Sequence, residues 1–339
     1  MYDRSNPFLS RISARETLSR RPETRPVWHI VLDLRGSHIH YEPGDCLAVL
    51  PQNDPHLVEK VAGFFSGDQK EIRQFFLERA NLSRATKKLV SLVGTEYGHD
   101  VLDLLEYAGL RGLPFQKDLF LPLLPRLYSI ASAERAVGEE VHLMVKEVRY
   151  HLDGREYQGV ASTFLCSHAA IGLTLVPIYL HKTTHFVLPP QPETPLIMVG
   201  PGTGIAPFRA FMQHKASENH PLDRAWLFFG EQYRASDFFY EDFWTSLSER
   251  GLKLDLAFSR DGAEKVYVQH KMWEKRQELW QWLEQGAHLY LCGSLNTMAR
   301  DVEKMLAEII ASEGNHSLET ARKYLLDLHA AKRYAKDVY

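Results

Sequence analysis

Over residues 196–310 the chain alternates, four times over, a short apolar run with a helix-like stretch. "LIMVG" leads into "APFRAFMQHKA", "AWLFFG" into "FFYEDFWTSLSER", "KLDLAFS" into "VQHKMWEKRQELWQWLEQ", and "HLYLCG" into "NTMARDVEKMLAEII". Unbroken short apolar runs suit strands buried on both faces, and a helix after each strand returns the chain for a parallel neighbour. The pattern predicts an α/β doubly wound layer around a parallel sheet. Such sheets take ligands outside the carboxyl ends of their strands.

The preceding half reads differently. "VWHIVLDL" and "CLAVL", separated by "RGSHIHYEPGD", read as strands, as do "RLYSIAS", "EVHLMVKEVRY" and "LTLVPIYL". Between them, residues 54–118 carry helical apolar spacing in "DPHLVEKVAGFF", "KEIRQFFLERANL" and "HDVLDLLEYAGL". We read a β-barrel with a helical insertion at about 54–118. "LPPQPETP" then places Pro189, Pro190, Pro192 and Pro195 in an extended linker. A chain of 339 residues suits two domains, expected at 1–190 and 191–339.

Composition removes several function classes. With 45% apolar and 24% charged residues the chain is ordinary for a globular protein, and a net charge of -3 gives no reason to expect nucleic acid. Runs such as "LTLVPIYL" are too short to span a bilayer, and the N-terminal segment has no apolar core of a secretory signal. The expectation is a cytoplasmic protein with no membrane partner. Cys46, Cys166 and Cys292 are widely spaced and form no CxxC pair, so neither a disulfide framework nor a metal site is expected.

Four stretches carry chemistry. In "LIMVGPGTGIAPF" a strand ends in Gly200, Gly202 and Gly204 before a helix, a turn that lets backbone approach a pyrophosphate; Ile205 stands where a strict fingerprint has a third glycine. In "AFSRDGAEKVYVQ", Ser259, Arg260, Lys265, Tyr267 and Gln269 gather cations and hydroxyls just past a strand, which suits a phosphate monoester such as the 2′-phosphate of NADPH. Glu231, ending the second strand, is the opposing signal, since an acid there can hold the ribose hydroxyl of NAD. "PRLYSIAS" offers Arg126, Tyr128 and Ser129, and "GVASTFL" offers Gly159, Ser162 and Thr163 ahead of a helix. Each stretch alone also fits a plainer role: a tight turn, a solvated basic loop, a strand with a polar rim, a capped helix.

Taken together and in this order, these stretches resemble the FAD/NADPH reductase module of the diflavin reductase family, which is similar in turn to ferredoxin–NADP reductases. "HIHYEPGDCLAVLPQNDP", "LFFGEQ", "LYLCGS" with "MARDVE", and "RYAKDVY" extend the resemblance over residues 6–339. Within the family it is nearest to the flavoprotein components of sulfite reductases. The resemblance implies FAD gripped by Arg126, Leu127, Tyr128 and Ser129, with Tyr128 stacked on one flavin face. Gly159, Val160, Ala161 and Ser162 would meet its pyrophosphate, and Met144, Val145, Lys146 and Tyr150 would line the site. Lys146 and Glu147 stand where small or apolar residues are usual. NADPH would meet Gly202 and Thr203, the run Ser259, Arg260, Lys265, Val266, Tyr267, Val268 and Gln269, and Asp301.

For the reaction itself the resemblance implies four residues. Ser129 would hydrogen-bond the flavin's acceptor nitrogen, Cys292 would lie near the nicotinamide carbon, and Asp337 would offset charge on that ring. Tyr339 would stack on the flavin face that nicotinamide must occupy, and would move aside. Ser294 replaces the acid that usually follows Cys-Gly. "SLETARKYLLDLHAAKRY" reads as a helix that shares Leu325, Leu328 and Tyr334 on one face and delivers Tyr339.

The family's FMN-binding flavodoxin domain has no counterpart in the sequence, so electrons would pass to a separate carrier: a flavodoxin, a ferredoxin, or the haem subunit of sulfite reductase. Arg4, Arg11, Arg15, Arg20, Arg21 and Arg25 form a basic excess, readable as a solvated strand edge or a docking surface. Three functions follow. The first is an FAD-dependent NADPH oxidoreductase in assimilatory sulfite reduction. The second is a general NADPH–flavodoxin or ferredoxin reductase. The third is a catalytically silent FAD-binding assembly subunit.

Overall fold

Eleven strands carry the two main sheets. They are β1 (Phe8–Thr17), β2 (Val27–Asp33), β3 (Cys46–Val49), β4 (Arg126–Ser129), β5 (Glu140–Lys146), β6 (Leu175–His181), β7 (Leu196–Val199), β8 (Ala225–Glu231), β9 (Lys253–Phe258), β10 (His288–Gly293) and β11 (Tyr334–Val338). The computed structural model describes residues 2–20, 26–96, 98–294 and 298–339; Arg21 and Arg25 of the basic segment lie outside the described residues. By contact density the chain divides into two units. One is Met1–Ile12, Ala48–Leu127 and Glu147–Tyr179; the other is Ser13–Leu47, Tyr128–Lys146 and Leu180–Tyr339.

The first unit is built on helices. Pro55–Ala62, Gln69–Glu78, Lys87–Val93 and Val101–Ala108 start at Asp54, Asp68, Thr86 and Asp100, whose side chains accept from helix N–H groups. These caps satisfy donors that no helical carbonyl can reach. Lys87–Val93 adds a helix to the three that the sequence spacing predicts. Their inward faces, including Val61, Ile72, Phe76, Leu89 and Leu105, bury one cluster with Phe65 and Phe120. In the same unit β1 pairs antiparallel with β6, and a hairpin joins Arg149–Leu152 to Arg155–Gln158.

The eleven strands form two main sheets. Where the sequence suggests a barrel, the pairing gives a six-stranded sheet in the order β4-β3-β6-β1-β2-β5, with β4 and β5 outermost. β2 and β5 run antiparallel along their whole length, from Val27 opposite Lys146 to Asp33 opposite Glu140. The other sheet is wholly parallel, in the order β9-β8-β7-β10-β11. Successive strand residues alternate between its two faces. Leu196, Met198, Leu227 and Phe229 join one core with Phe208, Phe211 and Trp244, from helices Ala206–Ser217 and Glu241–Glu249. Ile197, Val199, Trp226 and Phe228 join the other with Met272, Leu279, Val302 and Leu325, from four helices on the opposite face. Both faces are thus buried, which is why the strands read as continuous apolar runs.

Two expectations change. "VQHKMWEKRQELWQWLEQ" forms two helices, Val268–Glu274 and Arg276–Glu284, parted at Lys275. The helix over "SLETARKYLLDLHAAKRY" ends at Ala330; Lys332 takes a left-handed backbone at φ 58°, and Tyr334 opens β11. Leu325, Leu328 and Tyr334 still bury in one cluster. Helix gives way to strand because β10 would otherwise present an unpaired edge, and β11 satisfies its backbone groups. No helix among the described residues is long and apolar enough to cross a membrane.

Candidate functional site

The strand order of the parallel sheet reverses at β7: the next strand, β8, lies to one side and β10 to the other. That reversal opens a crevice at the strands' carboxyl ends. Gly202, with φ 60°, turns the chain out of β7. At Gly204 a Cβ would stand 2.1 Å from the Cys292 carbonyl oxygen, so only glycine lets this loop lie flush against the end of β10.

Strand pairing then sets the polar groups. Asp337 on β11 is the register partner of Cys292 on β10. Ser129, the last residue of β4, donates its hydroxyl to Asp337 Oδ2 at 2.6 Å, and Cys292 Sγ lies 3.9 Å from the same oxygen. Cys292 is fully buried, and burial, seconded by Asp337, pushes its thiol well above the usual range. Cys46 joins this group unanticipated. Burial first and Asp337 second push its thiol up to about 12, with a hydrogen bond to Ser129 acting the other way. Asp45 positions it: its carboxylate accepts from the backbone N–H groups of Glu42 and Thr183, pinning the turn from which β3 departs. No spacing rule links Cys46 to Cys292, because only the fold brings β3 and β10 to one place. The result is one carboxylate among a hydroxyl and two protonated thiols.

Tyr339 is held at both ends. Its N–H donates to Gly293 O at 3.1 Å, and its hydroxyl lies 2.7 Å from Thr203 Oγ1. The residue is nevertheless 53% exposed.

Beside the crevice lies a cavity of about 520 Å³ lined by Gly202, Glu231, Ser259, Arg260, Lys265, Tyr267, Val268, Gln269 and Asp301, among others. The loop after β9 is fastened to the end of β8: Ser259 N–H donates to Glu231 O at 2.9 Å and Arg260 N–H to Gln232 O at 2.8 Å. Val266 turns inward onto the core. Among the described residues no carboxylate pairs with Arg260 or Lys265, although ion pairs are common elsewhere on the chain. Two unpaired cations with two hydroxyls and an amide are the donor set of a phosphate monoester. Glu231 also faces this cavity. Burial pushes its carboxyl pKa up, and Lys146 Nζ at 3.8 Å opposes that shift.

Other anticipated residues have more ordinary surroundings. In the second unit Tyr128 is half-buried on β4, whereas Met144 and Val145 are buried within β5. In the first unit Arg126 and Leu127 are exposed. The Tyr150 ring stacks on Tyr157, with centroids 5.5 Å apart. Gly159 precedes the short helix Val160–Thr163; Ser162 donates to Gly159 O and accepts from Val148 N–H, while Val160 and Ala161 are half-buried. Glu147 is buried against Arg149 at 2.7 Å and Ser167 at 2.6 Å.

Comparison with known proteins agrees with this architecture. The FAD binding domain family matches residues 1–95, and the oxidoreductase NAD-binding domain family matches residues 198–304. Over its full length the chain is 40% identical to the sulfite reductase [NADPH] flavoprotein alpha-component of Bacillus subtilis (strain 168). It is 39% identical, again over its full length, to the proteins of that name from Mannheimia succiniciproducens and Escherichia coli O9:H4 (strain HS). The chain spans 62% of the length of each of these three relatives.

Proposed function

We propose that this chain, which carries an FAD-binding domain and an oxidoreductase NAD-binding domain, is an NADPH-dependent flavoprotein reductase that feeds a separate electron acceptor in assimilatory sulfite reduction. The observation that carries the choice of NADPH is the cavity beside Gly202, where Arg260 and Lys265 have no carboxylate partner among the described residues. A 2′-phosphate supplies the charge those cations lack. Similarity to sulfite reductase flavoprotein components supports the choice of pathway.

FAD, when bound, supplies the ability to take two electrons from a nicotinamide and release them singly. The chain's own residues bind and orient. Arg126, Leu127, Tyr128 and Ser129, with Met144, Val145, Lys146 and Tyr150, are read as the flavin-holding set. Gly159, Val160, Ala161 and Ser162 are read as its pyrophosphate contact. Thr203 and Gly202 would meet the nicotinamide dinucleotide's phosphates, and Asp301 lines the cavity. Asp337 is the one carboxylate beside Ser129 and Cys292, so it is suited to offset positive charge on a nicotinamide ring. Cys292 stays a neutral thiol there and excludes water. Tyr339 covers the approach to the crevice and yields to the incoming ring, at the cost of its bond to Thr203.

We further read residues 1–190 as the flavin domain and 191–339 as the nicotinamide domain, acting in the cytoplasm. The six-stranded sheet is read as a barrel: Ile130, just past β4, bridges Leu143 of β5, and Ala131 N–H donates to His142 O at 2.8 Å. The acceptor would be a flavodoxin, a ferredoxin or a sulfite reductase haem subunit. Purified protein should bind FAD and catalyse NADPH-driven ferricyanide reduction. Bound FAD without that activity would instead favour the silent assembly subunit.

A further inference from the structure

Glu231 poses a problem for the reading just given, on which this inference rests. It ends β8 and lines the cavity that holds Arg260 and Lys265. Its Oε1 lies 3.4 Å from where a Cβ on Gly202 would be, so the carboxylate sits against the glycine turn. A half-buried acid at that place repels the phosphates of any dinucleotide, and it repels a 2′-phosphorylated one most. The same acid is well placed to accept from ribose hydroxyls, which favours the dinucleotide without the 2′-phosphate.

Lys146 answers that charge. It is the last residue of β5, opposite Val27, and its ammonium lies 3.8 Å from Glu231 Oε1. Both residues line a second cavity, of about 340 Å³, which Arg260 also borders. The other charged groups facing Glu231 are Asp237, which raises its proton affinity, with Arg260, Lys265 and Asp301 around the two cavities. Arg260 and Lys265 have a phosphate to meet, so Lys146 is the cation whose charge is committed to Glu231.

We propose that Lys146 is a specificity-determining positioning residue: by neutralising Glu231 beside the glycine turn, it lets the cavity accept NADP(H) and withholds the acid from the ribose hydroxyls of NAD(H).

The test is calorimetric binding of NADP+ and NAD+ to the FAD-loaded protein and its variants, with flavin content read from absorbance. Lys146→Met should lower the NADP+ to NAD+ affinity ratio by about tenfold, the effect of one unopposed charge near the ligand. The double variant Lys146→Met with Glu231→Gln should recover a ratio within about threefold of wild type. Should Lys146→Met lose FAD or fail to fold, Glu231→Gln alone decides. It should bind NADP+ more tightly than wild type, because it frees a cation and removes an anion. An unchanged ratio in Lys146→Met, a loss that Glu231→Gln does not rescue, or unchanged or weaker binding in Glu231→Gln alone overturns the inference. Wild-type protein that binds no NADP+ overturns the functional reading with it.

Discussion

Asp337 is the residue on which most of the crevice chemistry converges. It accepts from Ser129, lies 3.9 Å from Cys292, and raises the proton affinity of both Cys292 and Cys46. Neither thiol is therefore a nucleophile near neutral pH. Native protein at pH 8 should leave Cys292 unmodified by iodoacetamide, and unfolded protein should label it fully, as read by peptide mass spectrometry. Rapid labelling of Cys292 in the native protein would mean that the burial described is wrong. A second residue-scale prediction concerns His29 and His142, whose rings meet edge-to-face at 4.8 Å. Burial, then His142 and Arg209, lower His29 to about 3; burial, then Arg209, lowers His142 to about 4. Their folded affinities for protons are depressed, so their contribution to stability is present above about pH 6.5 and is lost as pH falls toward 4 and 3. His29→Gln keeps a partner for the Tyr240 hydroxyl, which lies 2.8 Å from His29 Nδ1. It should flatten the fall in melting temperature between pH 6 and 4. An acid limb as steep as wild type would exclude His29 from it.

Among elements, the loop after β7 and the β10–β11 pair make the site. Gly204→Ala drives a methyl into the Cys292 carbonyl, so loop and strand must part. Overpacking of this kind costs about 2 kcal/mol. The variant should melt at lower temperature in calorimetry and bind NADP+ more weakly; an unchanged melting temperature would contradict the close approach. The parallel sheet was legible because strands buried on both faces leave continuous apolar runs, as in Leu196–Val199 and Ala225–Glu231. That Ser259, Arg260, Lys265, Tyr267 and Gln269 line one cavity was legible because they come from one loop and the helix start that follows it. The strand at Tyr334–Val338 was not, because helical spacing of Leu325, Leu328 and Tyr334 matches a helix and a helix–strand turn equally well. Cys46 and the Lys146–Glu231 pair were hidden for another reason: each depends on strands far apart in sequence.

At the scale of the whole molecule, the proposed function has the chain accept electrons from NADPH through bound FAD, with Arg260 and Lys265 selecting the 2′-phosphate. Anaerobic stopped-flow mixing of FAD-loaded protein with NADPH or NADH, followed at the flavin absorbance, tests this most directly. Rapid bleaching by NADPH and much slower bleaching by NADH at equal concentration are expected. Bound flavin that neither nucleotide bleaches, or that NADH bleaches as fast as NADPH, would contradict it.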